Sequence, residues 1–388
     1  MSATAPLSLS PDNRATRFAT RAVFFTTGMA MGLWAALVPY VQNRTGAEAN
    51  QLGMLLLCLG AGSLLSMSFS GILIKRVGCR AVMVLSAALW CAVLPLLATL
   101  DSLELLGVAL FVFGMGIGLT DVAMNVQGTL VEQAAGRALM SGFHCLWSVG
   151  GIAGAAGGAL LFGNGAAPLT STFCAIAITA GVLLAVFRGL LPGGSDDKKT
   201  EQPRSRRLRP DAYLLMMAIM TMLCFMAEGA IIDWSGTFLN LERGMPLEHA
   251  GWGFALFSLA MSLMRMTGDR LVNRMGRRMM LVAGSLLAMV GYLVVILVPG
   301  WTASLIGFAL VGIGAANIVP VLITLAGQSK AMPVSMSVAF VTSLGYLGIL
   351  GGPALLGWIA HYSTLFFAFS LLAAGFLLIA LGAARLRY

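Results

Sequence analysis

The stretch Gly114-Met-Gly-Ile-Gly118-Leu-Thr-Asp121-Val-Ala-Met-Asn125-Val-Gln-Gly128-Thr-Leu-Val-Glu132 begins inside a long apolar run and carries a carboxylate in its middle. Gly114, Gly118, Asp121, Asn125, Gly128 and Glu132 are spaced 4, 3, 4, 3 and 4 residues apart. On a helix that spacing sets all six on one stripe. The stripe is small or polar and the other faces are mostly apolar, so in lipid it must face other helices or a wet cavity. A carboxylate at the centre of a membrane helix costs ~2.5–3.5 kcal/mol on insertion scales. Two readings explain an acid kept at that cost: a group that takes up and releases protons, or a buried acid that only fixes helix packing.

Working outward, the whole chain reads as a polytopic membrane protein. Hydrophobic residues make up 59% of the 388, only 10% are charged, and the mean hydropathy is +0.90. At ~20 apolar residues per crossing there is room for about twelve spans. They are predicted at 18–42, 50–73, 81–99, 103–130, 137–162, 168–188, 211–238, 248–268, 279–299, 302–326, 331–358 and 363–385. The fold class expected is all-α: twelve transmembrane helices in two pseudo-symmetric six-helix halves, 18–188 and 211–388. They are joined by a polar linker over 189–210 and preceded by a polar tail over 1–17. The net charge of +9 does not point to nucleic acid, because the basic residues fall in the gaps between apolar runs. Of the 24 Lys and Arg, Arg44 and Arg243 lie on one side of the predicted spans and Arg265 lies inside one. The other 21 lie opposite, which places both termini and the linker in the cytoplasm. The six cysteines are scattered without a C-x-x-C and read as small apolar fillers.

The halves repeat. Leu73-Ile-Lys-Arg76-Val-Gly78-Cys-Arg80 returns as Leu271-Val-Asn-Arg274-Met-Gly276-Arg-Arg278, and Gly114-x-Gly116 as Gly312-x-Gly314, both at an offset of 198. Gly154-Ala-Ala-Gly-Gly158 returns as Gly348-Ile-Leu-Gly-Gly352 at 194. In duplicated membrane folds of this kind the solute site lies between the halves near the midplane.

Several side chains are candidates for that site. Asp121 is the proposed proton-coupling carboxylate, with Asn125 one turn on to bind solute or hold the carboxylate. His144 and Ser148 share a face of the fifth span. Counting outward from the turn near residue 135 sets His144 level with Asn125, so a His–Asp relay is expected, a neutral structural His being the alternative. Glu228 lies near the middle of the seventh span as a proton or solute ligand. Asp233 lies ~7 Å further out at 1.5 Å per residue, where Gly229 is expected to loosen the helix. Asn317 joins the solute candidates. Among the aromatics, Trp147 and Tyr346 are taken as solute-facing, and Trp34 and Tyr292 are weighed beside them against a core role. Pro39, Pro320 and Pro353 are expected to kink helices. G-x-S-x-G, H-E-x-x-H and Walker A patterns are absent, and the three histidines fall on different segments. No enzyme activity, metal or cofactor is therefore expected.

The repeated loop resembles the signature G-x-L-A-D-R-x-G-R-R of the major facilitator superfamily. Lys75 and Asn273 stand where that family usually has Asp, and Asp269 occupies the Gly position of the second copy. The resemblance implies a gating role for Lys75, Arg76, Gly78, Arg80, Arg274 and Gly276. Arg265 and Asp269, four residues apart on the eighth span, are expected to pair as a substitute latch. A narrower likeness, to an uncharacterised bacterial inner-membrane group of that superfamily, rests on Asp121-Val-Ala-Met-Asn125-Val-Gln-Gly128, Phe143-His144, Ala227-Glu228-Gly229, Asp233-Trp234 and Arg265-x-Thr-Gly268. More distantly, Asp121 and Asn125 match the Glu-x-x-x-Asn of the fucose–proton symporters. Those carry a further acid in the first helix, at about Ala35 here, where this chain has none. Fucose transport is therefore not carried over. The expectation is a monomeric secondary transporter of a bacterial inner membrane, moving a small polar solute with protons by alternating access. The alternatives are a drug/proton antiporter, or a receptor or scaffold without flux, which would need an added soluble domain. The antiport reading is disfavoured by Gly157-Gly158-Ala159, where antiporters often have Gly-Pro.

Overall fold

A computed structural model describes residues 12–193, 209–246 and 249–386. The tail up to residue 11 and most of the linker, 194–208, lie outside the described residues. So does the side chain of Pro353.

The chain is helical from end to end of these segments. In the N-terminal half, α1 (Arg14–Thr45), α2 (Ala49–Thr99), α3 (Leu103–Ala135), α4 (Met140–Gly163) and α5 (Pro168–Val186) follow in order. In the C-terminal half come α6 (Ala212–Thr237), α7 (Trp252–Met275), α8 (Arg277–Leu297), α9 (Trp301–Ala315), α10 (Ile318–Gln328), α11 (Val334–Tyr362) and α12 (Leu365–Arg385). Caps match the sequence: the Asn13 side chain accepts from Thr16 N at α1, and the Ser102 side chain from Leu105 N at α3.

Helices and crossings do not correspond one to one. Ten stretches among the described residues are long and apolar enough to cross a membrane. α2, at 51 residues, is ~75 Å long at 1.5 Å per residue, more than twice a ~30 Å bilayer core. It holds the second and third spans, which meet at Gly78 (φ 84°, ψ 162°). α7 is the eighth span, its apolarity broken by Arg265, Asp269, Arg270 and Arg274. The tenth span, expected over 302–326 with a kink at Pro320, is divided into α9 and α10 at Ala316–Asn317. Pro320 explains the division: it has no N–H to give the carbonyl of residue 316, one turn back. Gly229 does not loosen the seventh span. α6 runs through it, and only at Phe238–Glu242 does the helix widen to a π turn.

The repeat is visible in backbone detail. Gly276 (φ 81°, ψ 156°) repeats the conformation of Gly78. A positive φ of this kind strains any residue with a Cβ, hence glycine at both. Arg80 donates to Leu190 O (2.5 Å) beyond α5, and its counterpart Arg278 donates to Ala384 O at the end of α12. On the opposite face, Arg44 donates to Leu97 O and Ala98 O (3.0 and 2.6 Å), closing the end of α2. Arg243 donates to Val295 O and Ile296 O (2.6 and 2.9 Å), closing α8. Each is a cation at a helix C-terminus, where orphan carbonyls and the helix dipole favour it.

Two faces can be told apart. Gly189, at the start of the linker, packs on Ala15 of α1, and α12 ends beside Arg278, so this is the linker side. There the two halves share one apolar core, including Phe24, Met67, Val122, Phe143, Leu322 and Val338. Toward the far side the N-terminal half keeps a core of its own around Leu33, Leu37, Trp90 and Phe113. The halves are thus welded on the linker side, and α7 packs on α4, α10 on α3 and α4, and α11 on α2 and α3.

Candidate functional site

The stripe on α3 divides its work along the helix. Gly114 and Gly118 lie against the backbone of α2, where a Cβ would meet Leu59 O and Ser63 O at 2.0 and 2.6 Å. Asp121 and Asn125 follow at mid-helix. The Asn125 side chain is buried, and its Nδ2 donates to Asp121 O (2.9 Å) and Asp121 Oδ2 (3.4 Å). Its Oδ1 lies 3.1 Å from His144 Nε2. With Asn125 Nδ2 already committed, Oδ1 accepts, and the network assigns the hydrogen of neutral His144 to Nε2. His144 and Asp121 do not touch: the Asn125 carboxamide, which does not titrate, bonds to both and stands between them.

From His144 the polar chain crosses to the other half. Ser148, one turn on, donates to His144 O (3.3 Å) and accepts from Arg265 Nη1 (3.1 Å). Arg265 is 6% exposed. Its Nε donates to Ala316 O (3.1 Å), the carbonyl that Pro320 leaves without a partner. Glu228 on α6 lies within electrostatic reach of Arg265 without ion-pair contact, and takes a weak bond from Cys224 Sγ at 3.6 Å. Tyr346 on α11 stands edge-on to Phe225 (5.9 Å) and within reach of the Asp121 charge. Five helices from both halves thus converge on one polar seam deep in an apolar molecule.

Other candidates lie elsewhere. Trp34 is 3% exposed in the core of the N-terminal half, and Tyr292 is fully buried with its hydroxyl on Ala227 O (3.0 Å). Both are packing residues. Trp147 is half-buried against the shared core, and Asp233 is exposed toward the far end of α6. Asn317 is buried at 1% exposure, and neither of its amide atoms has a partner. It sits where α7 and α4 meet: a Cβ on Gly268 would lie 2.0 Å from its Oδ1 and 2.7 Å from Ser141 Cβ.

On the linker side the second signature loop closes the molecule. Asp269 Oδ2 accepts from Gly142 N (3.0 Å), an orphan donor in the first turn of α4. Asn273 Oδ1 accepts from Ala138 N (2.8 Å), and its Nδ2 donates to Ala138 O (3.4 Å). Arg277 pairs with Glu132 at 3.0 Å, while Glu132 Oε2 accepts from Leu139 N and Met140 N (2.7 and 2.8 Å). The predicted Arg265–Asp269 pair is not formed: Arg265 belongs to the central seam and Asp269 to this latch. The first loop does not cross between halves in the same way. Arg80 and the N–H of Cys79 hold the carbonyls of Leu190 and Gly193, and Gln127 accepts from Leu191 N (2.9 Å). Arg80 and Gly78 therefore pin the start of the linker to their own half. Lys75, Arg76 and Arg274 are exposed, and Gly276 marks the α7–α8 turn. Sequence reasoning missed Asn273, Arg277 and Gln127 as interacting groups. Asp269 was expected in a latch, but with Arg265 as its partner rather than the backbone of α4.

The Major Facilitator Superfamily profile matches residues 22–249 and 217–387, together most of the chain. The chain belongs to the Major Facilitator Superfamily. Relatives within it include an uncharacterized MFS-type transporter of Yersinia pestis, 44% identical over 356 residues and 91% of each chain. An uncharacterized transporter of Sinorhizobium fredii is 32% identical, covering 90% of this chain and 93% of its own. The membrane protein MosC of Rhizobium meliloti is 30% identical, covering 91% and 85%. Among solved structures, the MFS transporter FucP in the outward conformation superposes with a TM-score of 0.83 over 97% of this chain and 100% of that one, at 19% identity. The human organic anion transporter MFSD10 superposes at 0.76 over 95% and 99%, at 15% identity. This superfamily membership makes the protein a multi-pass membrane transporter rather than an enzyme.

As in other two-state switches, the latch of this MFS transporter should be adjustable from both directions. Asp269→Ala removes a helix-end acceptor worth about 1 kcal/mol and should shift the population toward a linker-side-open form about fivefold. Asn317→Leu removes an unpaired buried amide, whose desolvation costs ~1–3 kcal/mol in the closed form, and should shift it the other way. Spin labels at the exposed positions Arg137 and Arg274 report the separation by pulsed resonance. Identical distance distributions in both variants would remove these residues from the switch.

Proposed function

We propose that the protein couples import of a small polar solute, a sugar or related metabolite, to proton entry by alternating access across a bacterial inner membrane. The observation that carries this reading is the polar seam from Asp121 through Asn125, His144, Ser148 and Arg265 toward Glu228. It joins the two halves at mid-depth and includes two carboxyl groups with few hydrogen bonds. A carboxyl there can be protonated while occluded and ionised when water reaches it. The skew of basic residues supports a cytoplasmic linker side, so the latched form is the outward-facing one. Among the fold neighbours, FucP is a fucose:proton symporter and XylE a proton:xylose symporter, at 19% and 11% identity. Those neighbours favour sugar–proton symport as the class to test first.

The test uses purified protein in liposomes with a trapped pH indicator and a panel of sugars, sugar acids and polyols. One compound class should acidify the lumen only when the protein is present. Solute flux with no proton movement would refute the coupling. Orientation is checked with a cysteine introduced at Ser195, which an impermeant reagent should fail to label in intact cells.

A further inference from the structure

Beyond the solute path, the joint between the halves contains a cavity that nothing in the transport reading uses. α2 and α11 touch at two places. Gly60 meets Leu350, and Gly71 meets Met336 and Ala339, so closely that a Cβ on either glycine would lie 2.1 or 2.9 Å from its neighbour. These contacts are eleven residues apart on α2, ~16 Å at 1.5 Å per residue. Between the two helices runs a groove of about 450 Å³, lined by Leu64, Ser68, Phe340, Ser343 and Leu347 and, at the second contact, by Gly71, Met336 and Ala339. It is apolar apart from two serines, one of which, Ser68, bonds its own helix at Leu64 O. Its span matches one leaflet, ~15 Å of a ~30 Å core, in the linker-side half.

The linker-side end of the groove is basic. Pro210 and Met332 line it. Beside them an adjoining cavity of about 550 Å³ is bounded by Asp211, Tyr213, Gln328, Ser329 and Lys330. Arg76, Arg209 and Lys330 are exposed around this end. The one acid there, Asp211, is engaged as the cap of α6 through Leu214 N (2.8 Å). An apolar slot about one leaflet long, flanked by Arg76 one turn beyond Ile72 and by Lys330 two residues before Met332, has the chemistry of an anionic phospholipid.

We propose that this groove is a specific site for one anionic phospholipid, with an acyl chain between α2 and α11 and its phosphate at Arg76 and Lys330. One wall comes from each half, so the lipid sits across the joint on which the halves move.

Native mass spectrometry of the delipidated full-length protein, titrated with phosphatidylglycerol or phosphatidylcholine, tests this directly. The wild type should bind one phosphatidylglycerol about tenfold more tightly than phosphatidylcholine. The paired change Arg76→Gln with Lys330→Gln should bring the two lipids level. Ser68→Trp, which fills the groove from an exposed position, should lose that one lipid at least about tenfold. Leu347→Trp fills the same groove from α11 and serves if the first variant does not fold, with thermal unfolding checked for both. Equal wild-type affinity for the two lipids, or undiminished binding in a folded groove-filling variant, overturns the proposal.

Discussion

Asp121→Asn will exchange solute across liposomes at close to the wild-type rate and will not accumulate it against a gradient. The substitution keeps an oxygen for Asn125 Nδ2 and nearly the same volume, so the bridge to His144 (3.1 Å) persists. What it removes is the ionisable group. With one proton per solute, a gradient of one pH unit is worth 1.36 kcal/mol and supports about tenfold accumulation. In the variant that ratio should fall to about one, while counterflow of labelled solute continues. Glu228→Gln is the control, because loss of both exchange and accumulation would mark Glu228 as a solute ligand. Full accumulation by Asp121→Asn would leave Asp121 a packing residue and move the coupling role to Glu228 or His144.

The largest structural effect should come from Arg265→Leu. That guanidinium donates to the Ala316 carbonyl and the Ser148 hydroxyl and lies within electrostatic reach of Glu228. Removing one member of a buried charged set costs on the order of 3–5 kcal/mol, so thermal unfolding should move down and solute exchange should fall at least about a hundredfold. Arg265→Lys keeps the charge but lacks the planar fork that serves Ala316 and Ser148 together. It should retain the fold and lose at least about tenfold in exchange. Wild-type exchange in Arg265→Leu would show that the seam is scaffold alone.

Much of the fold was legible in the amino-acid order because lipid leaves few alternatives. Apolar runs of the right length, basic gaps and the doubled loop sufficed for twelve crossings in two halves. The candidate site was legible in part. Helix spacing put Asn125 beside Asp121, and depth counting put His144 level with Asn125. Arg265 was misplaced because its neighbour four residues on, Asp269, offered an obvious local partner, whereas its hydrogen-bond partners come from α4 and from the break between α9 and α10. The role of Ala316 rests on a bond that Pro320 cannot make, and a missing donor leaves no apolar or charge pattern to read. The latch was given the wrong partner for a similar reason: Asn273 and Asp269 bind backbone, and backbone is the same at every position.

The matched pairs Gly78 and Gly276, Arg80 and Arg278, Arg44 and Arg243 all bend or close main chain. At the same offset, Asp121 corresponds to Val319 and Asn125 to Ile323, both almost fully buried. Duplication therefore supplied the frame twice and the mid-helix Asp–Asn pair once. The two halves are no longer interchangeable parts. A chimaera made of two N-terminal halves would inherit every bend and helix closure of the pairs named here, yet it would hold two copies of Asp121 and neither Arg265 nor Glu228. Its interior would hold acids alone, without the Arg265 cation that only the C-terminal half supplies.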